Sequence, residues 1–306
     1  MATKIIILGL LAGLLTGCTP PPPKPIDPAT FNGRRAMSHV EALVKMGPRP
    51  AGSPTLAKAA TYIATQLEEA GLSAHEQVFT SGSPRGPLQF RNVLAKTSRY
   101  SGGTGQVIVV ASHYDTKYMP DINFVGANDA GSSTGVLLEI ARCAASQPDI
   151  WFVFFDGEEA IQEYGSTDGL VGSKFFVEDL KSNNQLKWIK AVIVLDMVGD
   201  ANLKIRIPAN TTGSLVQHVF EAARVVGHRD YFELGDGDIH DDHVPFLHAG
   251  IPALNLIDFQ FGSAPGLNDY WHTDKDTLDK LSVRSLEIVG QTTLSLLARL
   301  RAAPAR

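Results

Sequence analysis

The residues of this chain that could do chemistry gather in short polar clusters beside apolar runs. Ser112-His113-Tyr114-Asp115 follows the run Val107–Ala111, and Gly126-Ala127-Asn128-Asp129 comes just before an apolar helical pattern. Asp156-Gly157-Glu158-Glu159 follows Ile150–Phe155, and Asp196 ends the run Ala191–Leu195. Tyr270-Trp271-His272-Thr273 comes after Pro252–Ile257 and a Gly/Pro-rich loop. Zinc takes imidazole nitrogen and carboxylate oxygen in roughly tetrahedral sites, and a catalytic site leaves one position open. Asp129, Glu159 and His272 form one such donor set, and His113 and Asp196 form a second, with Asp129 bridging. Glu158 then faces the open position as general base or acid, because adjacent side chains at a turn point apart. A single Asp at a strand end is ordinarily a cap or turn residue, but capping gives no reason for two histidines and a glutamate pair to gather there as well.

Those clusters need a scaffold, and the hydrophobic pattern supplies it. Helical spacing covers Met37–Met46, Thr55–Ala70, Thr134–Ala145, Ser173–Ser182, Thr212–Val226 and Val283–Arg301. Short runs apolar on both faces cover Val107–Ala111, Ile150–Phe155, Ala191–Leu195, Ile205–Ile207 and Pro252–Ile257, as buried strands require. Alternating strands and helices give an α/β fold, a single domain with a central mixed, mostly parallel sheet and helices on both faces. Ligands of such sheets collect at the carboxyl ends of the strands, where the polar clusters fall.

Composition removes several classes. Apolar residues at 44% against 19% charged allow a buried core and argue against disorder. A net charge of −5 without cationic clusters excludes a nucleic-acid partner. Two cysteines exclude a disulfide framework. Residues 1–17 read as an export signal, with Lys4 before the apolar stretch Ile5–Leu15, too short to span a bilayer. Leu15-Thr16-Gly17-Cys18 is similar to a bacterial lipobox, in which Cys18 would be acylated and become the new N-terminus. Residues 18–31 are the expected tether, stiffened by six prolines between Thr19 and Pro28, and residues 32–306 the catalytic domain. These features predict an exported lipoprotein of the bacterial cell envelope, periplasmic in setting, with membrane contact through the lipid alone. Cys143 lies in an apolar helical pattern and is expected to be inert core. His240, His243 and His248 are expected to support the site rather than bind metal, and Ser112 lacks the surroundings of a serine nucleophile.

The ordered set His113, Asp129, Glu158-Glu159, Asp196, His272 resembles the zinc-dependent aminopeptidase superfamily, and within it the animal-type glutaminyl cyclases, the glutaminyl-peptide cyclotransferases. The resemblance spans about residues 30 to 300. It is carried by residues 112–118 (SHYDTKY), 124–129 (FVGAND), 154–160 (FFDGEEA), 241–247 (DDHVPFL) and 271–273 (WHT), and by the length of the spacer Ile161–Val171. It implies a zinc exopeptidase-like fold and one catalytic zinc on Asp129, Glu159 and His272. It also implies that Glu158 is the proton shuttle with Asp196 and Asp241 hydrogen-bonded around it, and that Trp271 and Tyr164 frame the substrate pocket. The chain departs from that pattern at Ala130, where a hydroxyl is usual, at Tyr164 in place of tryptophan, at Asn255 in place of a pocket histidine, and in a longer loop Phe261–Tyr270.

Two chemistries fit the donor set. In a cyclase, the α-amine of an N-terminal glutamine attacks its own γ-carboxamide, and ammonia leaves. In a di-zinc aminopeptidase, an activated water attacks the first peptide bond. Ligand counting leaves both open; the aromatic frame and the spacer favour the cyclase. A third class, a tethered binding protein with a dead site, does not explain why all six polar positions are present. The expected partners are peptides with a free N-terminus, acted on by a monomer.

Overall fold

The computed structural model describes residues 24–96 and 106–304. The expected signal peptide and the expected lipidation site Cys18 therefore lie outside the described residues. Two helices lead: α1 (Gly33–Met46) and α2 (Pro54–Glu69). Asn32 caps α1 by accepting the Arg35 N–H, and Ser53 caps α2 by accepting the Leu56 N–H. Gly33, Ala36, Val40 and Leu43 form the buried stripe of α1, at the spacing of one helical face. The rest of the chain runs β1 (Ala74–Ser81), β2 (Leu88–Ala95), β3 (Val107–His113), α3 (Ser133–Ala144), β4 (Ile150–Phe155), α4 (Val171–Ser182), β5 (Ile189–Asp196), β6 (Ile205–Ile207), α5 (Gly213–Val225), β7 (Phe232–Leu234), α6 (Val244–His248), β8 (Ala253–Ile257) and α7 (Val283–Ala302).

The central sheet has the order β1-β2-β4-β3-β5-β8. Strands β4, β3, β5 and β8 are mutually parallel, while β1 and β2 form an antiparallel hairpin at one edge. Side chains alternate between two apolar layers, as a pleated strand dictates. Ile108 and Val110 join the layer packed against α1, α3, α5 and α7, whereas Val107, Val109 and Ala111 join the layer under α4 and α6. His113 pairs with Phe155, and Asp196 with Ile257, so the carboxyl ends of the parallel strands are level at one edge. The order turns at β3, which has β4 on one side and β5 on the other, and such switch points open a crevice at that edge.

Three features differ from the sequence expectations. The β1–β2 hairpin has no continuous apolar run to announce it, because half of β1 faces solvent. Ile205–Ile207 lies outside the main sheet and pairs with Phe232–Leu234 in a ribbon of its own. The folded body also starts before residue 32. Ile26 and Phe31 are buried in the core, and the Lys24 carbonyl accepts a 2.6 Å hydrogen bond from Gln147, just before β4 at the edge of the sheet opposite the polar clusters. Among the described residues, no helix is long and apolar enough to cross a membrane.

Candidate active site

The polar clusters meet at the carboxyl edge of the sheet. His113 and Asp196 are the last residues of β3 and β5, and Glu158-Glu159 follows β4 across Gly157, whose φ of +71° suits a residue without a side chain. Asp129 is delivered by a tight turn at Gly126 (φ +52°), where an added Cβ would come within 1.9 Å of the Asp129 carbonyl oxygen. His272, on the loop after β8, holds a left-handed backbone at φ +53°, a conformation a non-glycine residue keeps only when its surroundings fix it. Trp271 stacks on its ring at 3.8 Å, and Phe124 meets it edge-on at 5.6 Å.

Buried charged groups that do not reach the cavity set the two acid-bearing turns. Asp276 accepts the N–H groups of Asn128 (2.6 Å) and Asp129 (3.0 Å). Asp115 accepts those of Glu158 and Glu159, both at 3.2 Å. Arg49, wholly buried, donates to the carbonyls of Val125 (2.9 Å) and Gly126 (3.3 Å) behind the same turn. Burial pushes Arg49 down to about 10, which leaves it cationic at neutral pH, and Asp276, Asp115 and Asp129 oppose that shift.

His272 Nε2 lies 3.2 Å from Asp129 Oδ2 and 2.9 Å from Glu159 Oε1. Tetrahedral zinc with bonds of 2.0–2.1 Å sets neighbouring donors about 3.3 Å apart, close to both distances from His272. The other Asp129 oxygen lies 3.2 Å from His113 Nε2, which is itself 3.2 Å from Asp196 Oδ1. Two donor groups thus share Asp129, each with ligand atoms within 4.8 Å of one another. Glu159 Oε2 is buried without a hydrogen-bond partner, and the Lys117 ammonium stands 3.7 Å from it, so this oxygen already faces positive charge.

The cavity over these groups has a volume of about 220 Å³ and is lined by Asp129, Glu158, Glu159, Asp196, Asp241 and His272, with Ile257, Phe259, Trp271 and Tyr164 as apolar walls. His113 is buried and does not line it. Burial pushes the Glu158 carboxyl well above its ordinary value, and the charges of Glu159, Asp241 and Asp242 add to this against His113. Burial likewise raises Asp196 to about 6 and Asp241 to about 7. Burial alone would raise Asp129 too, but His113 and His272 overcome it and hold that carboxylate below its usual range. Burial would lower His272, and its bonds to Asp129 and Glu159 instead lift it to about 9. Zinc seated among the carboxylates would favour their ionised forms.

The surroundings of Glu158 differ from the expectation. Its Oε1 accepts a 3.1 Å hydrogen bond from the Tyr164 hydroxyl. Asp196 instead bonds to His113, and Asp241 takes the Asn255 amide at 2.5 Å. Asn255, expected in the pocket, is fully buried on β8 and reaches the cavity only through Asp241. His240 lines the cavity and meets Tyr164 edge to face, His243 is buried with neither ring nitrogen hydrogen-bonded, and His248 is exposed. Cys143 is half-buried, with its thiol 3.4 Å from the Thr30 carbonyl, and Ser112 is locked against Ser133.

A sequence model of peptidase family M28 matches residues 92–297, well over half of the chain, and the chain belongs to that family. Within it the likeness is to glutaminyl cyclases. The crystal structure of an Acidobacteriales bacterium glutaminyl cyclase is 37% identical, with a TM-score of 0.82 over 94% of this chain and 99% of that one. The glutaminyl-peptide cyclotransferase-like protein of Bos taurus is 28% identical in an alignment 268 positions long that covers 75% of this chain and 66% of the bovine protein. A Zn-dependent exopeptidase from Parabacteroides distasonis is 27% identical, with a TM-score of 0.75 over 86% of this chain and 97% of that one. The fold is the zinc exopeptidase-like α/β domain of these proteins, and the family and the donor set agree on zinc as the metal.

Proposed function

We infer that the chain is a glutaminyl cyclase, an acyltransferase that converts the N-terminal glutamine of a peptide to pyroglutamate and releases ammonia. The observation that carries the reading is the small cavity in which a complete zinc donor set, a buried carboxyl and aromatic walls converge, in a chain 37% identical to a solved glutaminyl cyclase. Asp129, Glu159 and His272 would hold one zinc, since all three line the cavity. His113, which a second ion would need, is buried and is not among the residues that line it. Bound there, zinc supplies Lewis acidity to the γ-carboxamide oxygen.

The remaining work falls to the chain. The walls Trp271, Phe259 and Ile257 fold the glutamine side chain back toward its own α-amine, and alignment of that kind contributes up to roughly 7–11 kcal/mol in well-oriented intramolecular reactions. Glu158 accepts the proton released as the amine nitrogen bonds to the γ-carbon, and returns it to the amide nitrogen as the carbon–nitrogen bond breaks. Burial makes its carboxyl basic enough to hold that proton, and Tyr164 keeps Oε1 in place. The walls also exclude water, which would otherwise hydrolyse the amide to glutamate.

The test is incubation of the zinc-loaded protein with Gln-peptides and leucine amides. Ammonia release with pyroglutamate formation is expected, and cleavage of leucine amides without pyroglutamate would assign the two-zinc aminopeptidase, for which His113, Asp129 and Asp196 supply donors. Zinc content near one per active chain is expected. The reading extends to an exported monomer acting on peptides and tethered through an acylated Cys18. Cys18→Ser should then move the protein from the membrane to the soluble fraction.

A further inference from the structure

A second cavity adjoins the metal pocket. It has a volume of about 390 Å³, larger than the pocket itself, and shares Tyr164 and His240 with it. Its two walls are helices: Lys174, Val177 and Glu178 present one face of α4, and Val244, Pro245 and His248 one face of α6. Leu170, Val177, Val244 and Pro245 make its floor apolar. Its charged residues are already engaged. Lys174 Nζ donates to the carbonyls of Gly165 (2.6 Å) and Gly169 (2.8 Å), and Glu178 lies 3.5 Å from Lys181.

The groove is also preformed. The Asp168 carboxylate accepts the N–H groups of Ile161, Gln162 and Glu163 at 2.7 to 3.1 Å, and Lys174 ties the far side of the same loop to α4. Tyr164, carried on that loop, has its hydroxyl on Glu158 and its ring at the head of the groove. A substrate whose α-amine reaches Glu158 must send its next residues out of the pocket, and each residue advances only about 3.5 Å. The groove starts at the Tyr164 side chain that touches Glu158, within reach of the second residue.

We propose that the groove between α4 and α6 binds the second and third residues of the peptide substrate and selects uncharged, apolar side chains there. The proposal rests on the cyclase reading and deepens it. A charged second residue finds no unengaged partner on the apolar floor, because Lys174 already donates to two carbonyls and Glu178 already lies beside Lys181.

The test compares kcat/KM for glutaminamide, Gln-Leu-Leu-amide and Gln-Asp-Asp-amide in the zinc-loaded protein and in the variants His248→Trp and Glu178→Trp, both on exposed positions of the groove walls. In the wild type the Leu-Leu substrate should exceed both others by about tenfold. The Trp variants should lose at least fivefold on Gln-Leu-Leu-amide, mainly through KM, with glutaminamide unchanged. Equal kcat/KM for all three substrates in the wild type would overturn the proposal, as would an advantage for Leu-Leu that both Trp variants keep. Absence of any pyroglutamate from glutaminamide would instead overturn the cyclase reading.

Discussion

Replacing Glu158 by glutamine separates the catalytic part of this carboxyl from its structural part. The amide has the same shape, and its oxygen can still accept the Tyr164 hydroxyl at 3.1 Å. None of the three proposed zinc donors is touched, so zinc content should stay as in the wild type. What disappears is a group that can take and return a proton, and general acid–base catalysis contributes roughly 10²- to 10⁴-fold. A fall of kcat by that amount corresponds to about 3–5 kcal/mol of barrier. Stability should move the other way in metal-free protein. Burial raises the folded pKa of Glu158 above its unfolded value, so the folded state binds the proton more tightly and ionisation costs stability as pH rises above about 4. The variant escapes that cost. Its Tm, measured with chelator present, should exceed the wild-type value at pH 8 and converge on it at acid pH. The assays are pyroglutamate formation, elemental zinc and calorimetry. A kcat within tenfold of the wild type would refute the shuttle role, and a lower Tm at pH 8 would refute the account of the burial.

His272→Ala should strip zinc from the purified protein, and unchanged zinc by elemental analysis would contradict the donor set. Asp276→Asn leaves one of two buried N–H groups on the Asp129 turn without its acceptor, and loss of a group that orients a ligand costs roughly 10–100-fold in metal affinity; an unchanged zinc dissociation constant in a chelator competition would refute that positioning role. His39 is lowered to about 4, chiefly by burial and further by Arg35. Because the unfolded histidine binds protons below about 6.5, stability should rise with pH between 4 and 6.5 and be lost as pH falls through that window, by at most about 3 kcal/mol. His39→Leu should show a shallower acid limb in urea titrations, and an identical limb would exclude this residue as its source.

The sequence carried the parallel strands because each is apolar on both faces, a pattern no exposed element can afford. His113, Asp129, Glu158, Glu159, Asp196 and His272 were readable as a group because their residue types make sense together at strand ends. The β1–β2 hairpin was not readable: its outer strand alternates weakly, and its pairing is decided by the neighbour. Asp276 and Arg49 are not legible, because a lone acid in a loop or a lone arginine has no local pattern; only the fold shows that each meets backbone groups distant in sequence. Asn255 differs from its expected place for a related reason. The resemblance assigned it to the pocket, but its β8 position turns it into the layer beneath, toward Asp241. Asp115, two residues past His113 and inside the stretch that carries the resemblance, was the one hidden residue with a signal beside it.

The Lys24–Gln147 bond holds the first described residues at the rim of the sheet opposite the catalytic mouth. From Cys18 to Lys24 the backbone reaches at most about 20 Å. A chain acylated at Cys18 would therefore ride close against the lipid headgroups with its opening turned outward. It would meet soluble peptides diffusing through the surrounding compartment, and termini lying flat on its own bilayer would be out of its reach.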